Sequence, residues 1–351
     1  MSRSSSSRFR LPRLRLLLWI ALPLALAWAM REVTIRQVID GLRELTAGEL
    51  VVLGAVNLLV VLAFSGRWWA LLRGRGQHLP YLALSGYRLA AFAISYFTPG
   101  THFGGEPLQI HLLQRRHDVP ASVATASVVL DKAIELIANF AFLAIGLAIV
   151  VRLGLQPAGS SQLLRIVSLG LAVLPTAYLA AAWRGHRPAT WVLSRLGWDA
   201  GGAAWQRRAS RWAEATEAEV SAAARQSPAG LAAGAGFSII SWGLLLVEWA
   251  LAMRFLEIDL TPAQIVAVVT AARLALFVPL PGAAGALEAS LVLALTTLGI
   301  SSAQALSLAV IIRIRDVAFG ALGLWLGGWL SAPTGAQSRL PREAPDGRLG
   351  P

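Results

Sequence analysis

The 351-residue chain is 56% hydrophobic and 14% charged and carries 13 tryptophans; with a mean hydropathy of +0.60 this excludes an ordinary water-soluble domain and defines an all-α polytopic membrane protein. Its formal net charge of +12 would suit nucleic acid, but the arginines fall in loops between apolar runs, as the positive-inside rule requires, so no nucleic-acid partner is expected. The lack of cysteine excludes disulfides, thiolate metal sites and cysteine nucleophiles.

Residues 1–13 are rich in Ser and Arg and read as a disordered basic cytoplasmic tail. A membrane domain is expected over 14–330, beginning with a first span from Leu14 to Met30. Ala25-Leu26-Ala27 could pass for a signal-peptidase site, but no exported globular domain follows, and a retained anchor is the preferred reading. The next loop carries Glu32, Asp40, Glu44 and Glu49 and suits the outside. Leu50 to about Phe64 returns the chain inward, where Arg67, Arg73 and Arg75 mark the cytoplasm and Trp68-Trp69 read as an interfacial anchor.

The apolar run from Tyr81 to Phe97 is interrupted by a segment holding Pro99, Gly100, His102, Gly104, Gly105 and Glu106. A short apolar run to Gln114 follows and ends in Arg115-Arg116-His117. Neither limb is comfortably long enough to cross a bilayer, so the spacing predicts a broken, re-entrant hairpin with its tip at membrane depth. Long helices are then expected over Ala121 to about Val151 and Leu163 to Trp183. Residues 184–228 form the one sizeable polar segment, a cytoplasmic loop. Arg207 to Arg225 within it reads as an amphipathic surface helix with Trp205 and Trp212, or else as an ordinary linker. Leu231 to Leu256 exits to an acidic loop with Glu257 and Asp259. A second hairpin spans Pro262 to Leu298, and Ala303 to Leu330 runs inward to a disordered tail over 331–351.

The second hairpin repeats the device of the first. Pro281, Gly282 and Glu288 follow Pro99, Gly100 and Glu106 at one constant displacement. Downstream, Lys132/Glu135 and Arg313/Asp316 recur at a displacement one residue shorter, and Arg88 and Arg273 precede their Pro-Gly pairs in similar register. An internal duplication follows, with units near 81–151 and 262–330. Alternating the loops by charge makes six full spans plus two oppositely directed hairpins, an inverted-topology repeat with a cytoplasmic N-terminus.

The helix starts place Lys132 and Arg313 about 15 Å deep, near the midplane. An unpaired charge there costs at least about 2.5–3.5 kcal/mol, so inward-facing pairs are expected. Asp131 and Glu135 share a face, while Lys132 can meet Glu135, and Arg313 Asp316, one turn on. Lys132 is the sole lysine among 31 basic residues, which points to a compact, hydrated charge. These pairs either lock helices together or line a polar cavity. Glu106 and Glu288 either cap backbone freed at a helix break or act in that cavity. His102 and His111 are packing residues or proton relays. Metalloprotease, serine-hydrolase, Walker and intramembrane aspartyl-protease motifs are missing, so neither an enzyme nor a cofactor or metal is expected.

The runs F-T-P-G-x-x-x-G-G-E, L-L-Q-R-R-x-x-V-P and A-S-V-V-L-D-K-x-x-E, followed by P-G-A-A-G-A-L-E and R-I-R-D, resemble the flippase-like transmembrane domain of bacterial lysylphosphatidylglycerol synthases. Within that family, G-G-E, Asp131 with Glu135, and Arg313, Arg315 and Asp316 are most similar to the hopanoid-biosynthesis-associated membrane proteins. The resemblance implies a bacterial inner-membrane protein that handles lipids, with inverted repeats around a headgroup cavity. Many relatives carry arginine where this chain has Gln109 and Leu287. The family's soluble aminoacyltransferase domain has no counterpart in these residues. Three functions fit: a lipid translocase, a polar-solute or ion transporter, or a non-transporting partner of a lipid-biosynthetic enzyme. The assembly state is open, a homodimer included.

Overall fold

A computed structural model describes residues 45–98, 104–155, 161–198, 203–278 and 280–330. These form eleven α-helices and one short 3₁₀ turn, with no strand among them. The expected N-terminal span and both tails lie outside the described residues. In chain order the helices are α1 (Ala47–Gly74), α2 (Tyr81–Phe97), α3 (Glu106–His117), α4 (Ala121–Arg152) and α5 (Ser161–Trp183). They continue with α6 (Pro188–Arg195), α7 (Ala204–Gln226), α8 (Pro228–Phe255), α9 (Pro262–Ala275), α10 (Ala286–Thr297) and α11 (Ser302–Leu330). The 3₁₀ turn at Pro281–Ala283 precedes α10.

Local chemistry sets many of the boundaries. Thr46 and Glu49 close a reciprocal capping box at the start of α1, and Thr261 with Gln264 does the same for α9. Proline opens α8 and α9 at the first helical position, where its missing N–H costs nothing. Asp118, in the left-handed region at φ 52°, stops α3.

α1, α4 and α8 are long and apolar enough to cross a membrane. α5 is apolar over Leu169–Trp183, and the 29 residues of α11 are interrupted by Arg313, Arg315 and Asp316. The α1 span is longer than its hydropathy suggests. It continues ten residues past Phe64 to Gly74, which corrects the placement of Arg67 and Trp68 at an interface. Both are wholly buried, and the Trp68 indole donates to Ser127 Oγ at 3.1 Å. Trp69 is half-buried and meets Tyr81 edge-on. The polar segment is not a plain linker: α7 leaves Trp205 and Trp212 exposed, and α6, absent from the sequence reading, packs on it.

Two four-helix sets pack reciprocally. In each, a long helix (α1 or α8) precedes a helix–break–helix pair (α2/α3 or α9/α10) and a second long helix (α4 or α11). The opening helices α1 and α8 pack on one another, α2 packs on α11, and α4 packs on α9. Exchanging the sets leaves that list unchanged. Glycines allow these close approaches. A Cβ on Gly66 of α1 would sit 2.4 Å from the Phe237 ring, one on Gly146 of α4 1.9 Å from Thr270 Oγ1, and one on Gly323 of α11 2.2 Å from the Leu89 carbonyl oxygen. Two apolar clusters are drawn mainly from one set each, with Leu330 of α11 joining the first and Leu53 of α1 the second. Trp68, Leu72, Leu84, Leu112 and Val128 belong to the first, and Trp249, Val268, Leu291 and Leu308 to the second.

Candidate functional site

Between the two sets lies a cavity of about 290 Å³, at the small end of ligand pockets. Its wall is largely apolar, with Phe64, Phe92, Leu276 and Phe319, yet it also carries nine acidic and basic side chains. Arg88, Glu106, Asp131, Lys132 and Glu135 come from the first set; Glu248, Arg273, Arg315 and Asp316 come from the second.

On the first side the charges form one connected network. Arg67 donates from Nε to Asp131 at 2.7 Å and from Nη2 to Glu135 at 2.8 Å. Arg88 reaches the same two acids at 2.8 and 3.4 Å. Lys132 Nζ lies 3.1 Å from both Glu135 and Glu106. This arrangement answers most of the desolvation problem: buried charges are tolerated when paired and hydrogen-bonded, and in this network only Arg88 Nη1 is buried without a partner among the described residues.

Glu106 and Glu288 play matching parts in the two hairpins. Glu106 Oε2 accepts from the Gly104 N–H at 2.7 Å, while Oε1 takes Lys132 of the following long helix. Glu288 Oε2 accepts from the Gly285 N–H at 2.9 Å, while Oε1 accepts from Arg313 Nε at 2.9 Å. Each carboxylate thus caps the broken backbone and anchors the cation one helix on. Gly105 is required by contact: a Cβ there would lie 2.1 Å from the Ala91 carbonyl oxygen of α2. At the second tip Gly282 adopts φ 57°, and its carbonyl accepts from Arg313 Nη1 at 2.6 Å.

The second side departs from the expected pairing of Arg313 with Asp316. Arg313 is buried and is satisfied by Glu288, Gly282 and the Tyr96 hydroxyl, the last at 2.8 Å. Tyr96 belongs to α2, so this arginine ties the two hairpins together. Asp316 instead holds Arg315 at 2.8 Å, and Arg315 also binds Glu248 of α8. The Arg273 side chain makes no ion pair or hydrogen bond among the described residues; its guanidinium lies 4.9 Å from the Trp242 ring centroid.

Of the residues singled out in the sequence, Arg88, Gly105, Glu106, Asp131, Lys132, Glu135, Arg273 and Asp316 line the cavity. Gly104, Gly282, Glu288 and Arg313 stand behind it as hairpin supports. Pro281 lies on the second tip turn, and Pro99, Gly100 and His102 lie outside the described residues. His111 and Arg115 are not on the cavity wall; His111 Nε2 and Arg115 Nη1 are buried without a hydrogen-bond partner among the described residues. Sequence reasoning missed Arg67, Tyr96, Glu248 and Trp242. Glu248 carried a usable signal, being an acid deep inside an apolar run.

Long apolar helices around a cavity of paired charges define a multi-pass membrane protein with an internal polar compartment. The chain belongs to the family described as the lysylphosphatidylglycerol synthase TM region, whose model matches residues 14–323. No curated protein matches it.

Proposed function

We propose that the protein is a lipid translocase of the bacterial inner membrane. A polar headgroup passes through the cavity while its acyl tails remain in the bilayer. The observation that carries this reading is the cavity itself: nine acidic and basic side chains on a largely apolar wall, enclosed by helices long enough to span a membrane. Such a compartment lowers the cost of moving a charged headgroup across hydrocarbon, and broken helices at midplane are where inverted-repeat transporters bind substrate. In this reading α2/α3 and α9/α10 are re-entrant hairpins entering from opposite faces. With the N-terminal span, α1, α4, α5, α8 and α11 as full crossings, the N-terminus is cytoplasmic and the two four-helix sets are inverted repeats.

The test is movement of fluorescent phosphatidylglycerol in proteoliposomes, wild type beside Glu106→Gln. Protein-dependent movement that falls at least tenfold in a variant with native thermal stability is the expected result. Equal rates would remove Glu106 from the pathway. A second reading, a non-transporting partner of a lipid-biosynthetic enzyme, draws on the dense pairing of most of the cavity charges, which suits a static scaffold. It predicts that neutral replacement of Glu106 or Lys132 leaves function intact.

A further inference from the structure

The two four-helix sets share most of their charged positions but differ in the sign of the net charge on their second long helix. In the register that places Lys132 over Arg313 and Glu135 over Asp316, Asp131 corresponds to Ile312 and Ile134 to Arg315. The long helix of the first set therefore carries one net negative charge over this stretch and that of the second one net positive charge. The opening helices compensate with opposite signs: Arg67 on α1 meets Asp131 and Glu135, and Glu248 on α8 meets Arg315. Arg88 and Arg273, on the first limbs of the hairpins, kept the same sign. Arg88 still finds acids, Asp131 and Glu135. Arg273 does not, because Ile312 has replaced one acid and Arg315 holds the other, Asp316.

We propose that Arg273 is the anion subsite of the cavity, taking a phosphate oxyanion; this rests on the cavity being the substrate pathway. Its position on the wall gives a ligand access. The guanidinium rests 4.9 Å from the Trp242 ring centroid and donates to no acceptor among the described residues, which leaves N–H donors of a fork that matches two oxygens of a phosphate. Arg88, on the same wall from the other helix–break–helix pair, has an Nη1 without a hydrogen-bond partner among the described residues, although Nη2 binds both acids. The surrounding apolar wall strengthens a charge-assisted bond by excluding water.

The test is isothermal titration of the full chain in detergent, at fixed chloride, with dihexanoylphosphatidylglycerol, dihexanoylglycerol and inorganic phosphate. Wild type binds the phospholipid at least tenfold more tightly than the uncharged diacylglycerol, and Arg273→Gln abolishes that preference. Arg273→Lys, which keeps the charge but not the fork, restores part of it and covers the case of a Gln variant that does not fold. Competition by inorganic phosphate would identify a soluble anion as a sufficient ligand, and its absence would assign the oxyanion to a lipid headgroup; both outcomes uphold the subsite. Equal preference in wild type and both variants would overturn it. Binding that survives without translocation in proteoliposomes would refute the transport reading and leave the subsite standing.

Discussion

Arg67 is the most enclosed cation of the site, and it neutralises two acids of α4 from a neighbouring helix. Truncating it to Met leaves Asp131 and Glu135 with less compensation in a buried setting. Breaking one side of a buried ion pair costs about 3–5 kcal/mol, so Arg67→Met is expected to unfold well below the wild-type temperature in detergent. Adding Asp131→Asn should recover part of the loss, because the pair is then removed as a unit. A double variant no more stable than the single one would show that Arg67 acts through packing instead. Gly105→Ala is a second test of the same region. The new methyl meets a carbonyl oxygen of the α2 backbone rather than a yielding side chain, and overpacking costs about 1–3 kcal/mol. Stability within 0.5 kcal/mol of wild type would mean that the hairpin tip relaxes away from α2.

At the level of elements, α6 and α7 are joined by one buried acid. Glu217 of α7 accepts from the Ala189 and Thr190 N–H groups and the Thr190 hydroxyl, at 2.8, 2.8 and 2.6 Å. It therefore holds the N-terminus of α6, where the helix dipole favours negative charge. Glu217→Ala should weaken that docking by about 1–3 kcal/mol and speed tryptic cleavage at Arg195. Lipid movement should stay unchanged, since this contact is remote from the cavity wall. Equal cleavage in both proteins would remove Glu217 as the anchor. α6 also shows where the sequence stopped being readable. Its eight residues behind Arg187 are amphipathic but too short to stand out as a helix on their own, and their N-terminus is held by an acid 27 and 28 residues downstream. The long elements were legible because hydropathy runs and proline breaks are local signals: α2 was bounded correctly at Tyr81 and Phe97, and α4 missed by one residue. The pairing of charges was not local. Arg67 resembles any arginine at a membrane edge until Asp131 is known to face it, and Arg313 chose Glu288 across the hairpin over Asp316 one turn away.

At the scale of the whole molecule, the reciprocal packing of α1 with α8, α2 with α11 and α4 with α9 relates the two sets by an exchange, but packing alone does not orient that exchange in a bilayer. Counting crossings does. If α2 and α3 return to the side they enter from, α4 and α5 each traverse the membrane, and α6 and α7 do not, α8 starts on the side where α1 ends. The two sets then run in opposite senses. Exposed arginine and tryptophan on α6 and α7 favour a location at the cytoplasmic surface, where anionic lipids attract them. The cysteine-free sequence permits a direct test with single cysteines and a membrane-impermeant maleimide on intact and opened cells. Cysteines replacing His78, Asp118 and His186 should label only after opening, because the proposed topology puts all three connections on the cytoplasmic side. Cysteines replacing Glu257 and Gly299, flanking the second hairpin, should label in intact cells. Labelling of position 118 from outside would mean that α2 and α3 together cross the membrane. Labelling of 257 and 299 on opposite sides would mean the same for α9 and α10. Either result would replace inverted hairpins with complete spans and move the broken backbone at Gly105 and Gly282 out of the translocation geometry.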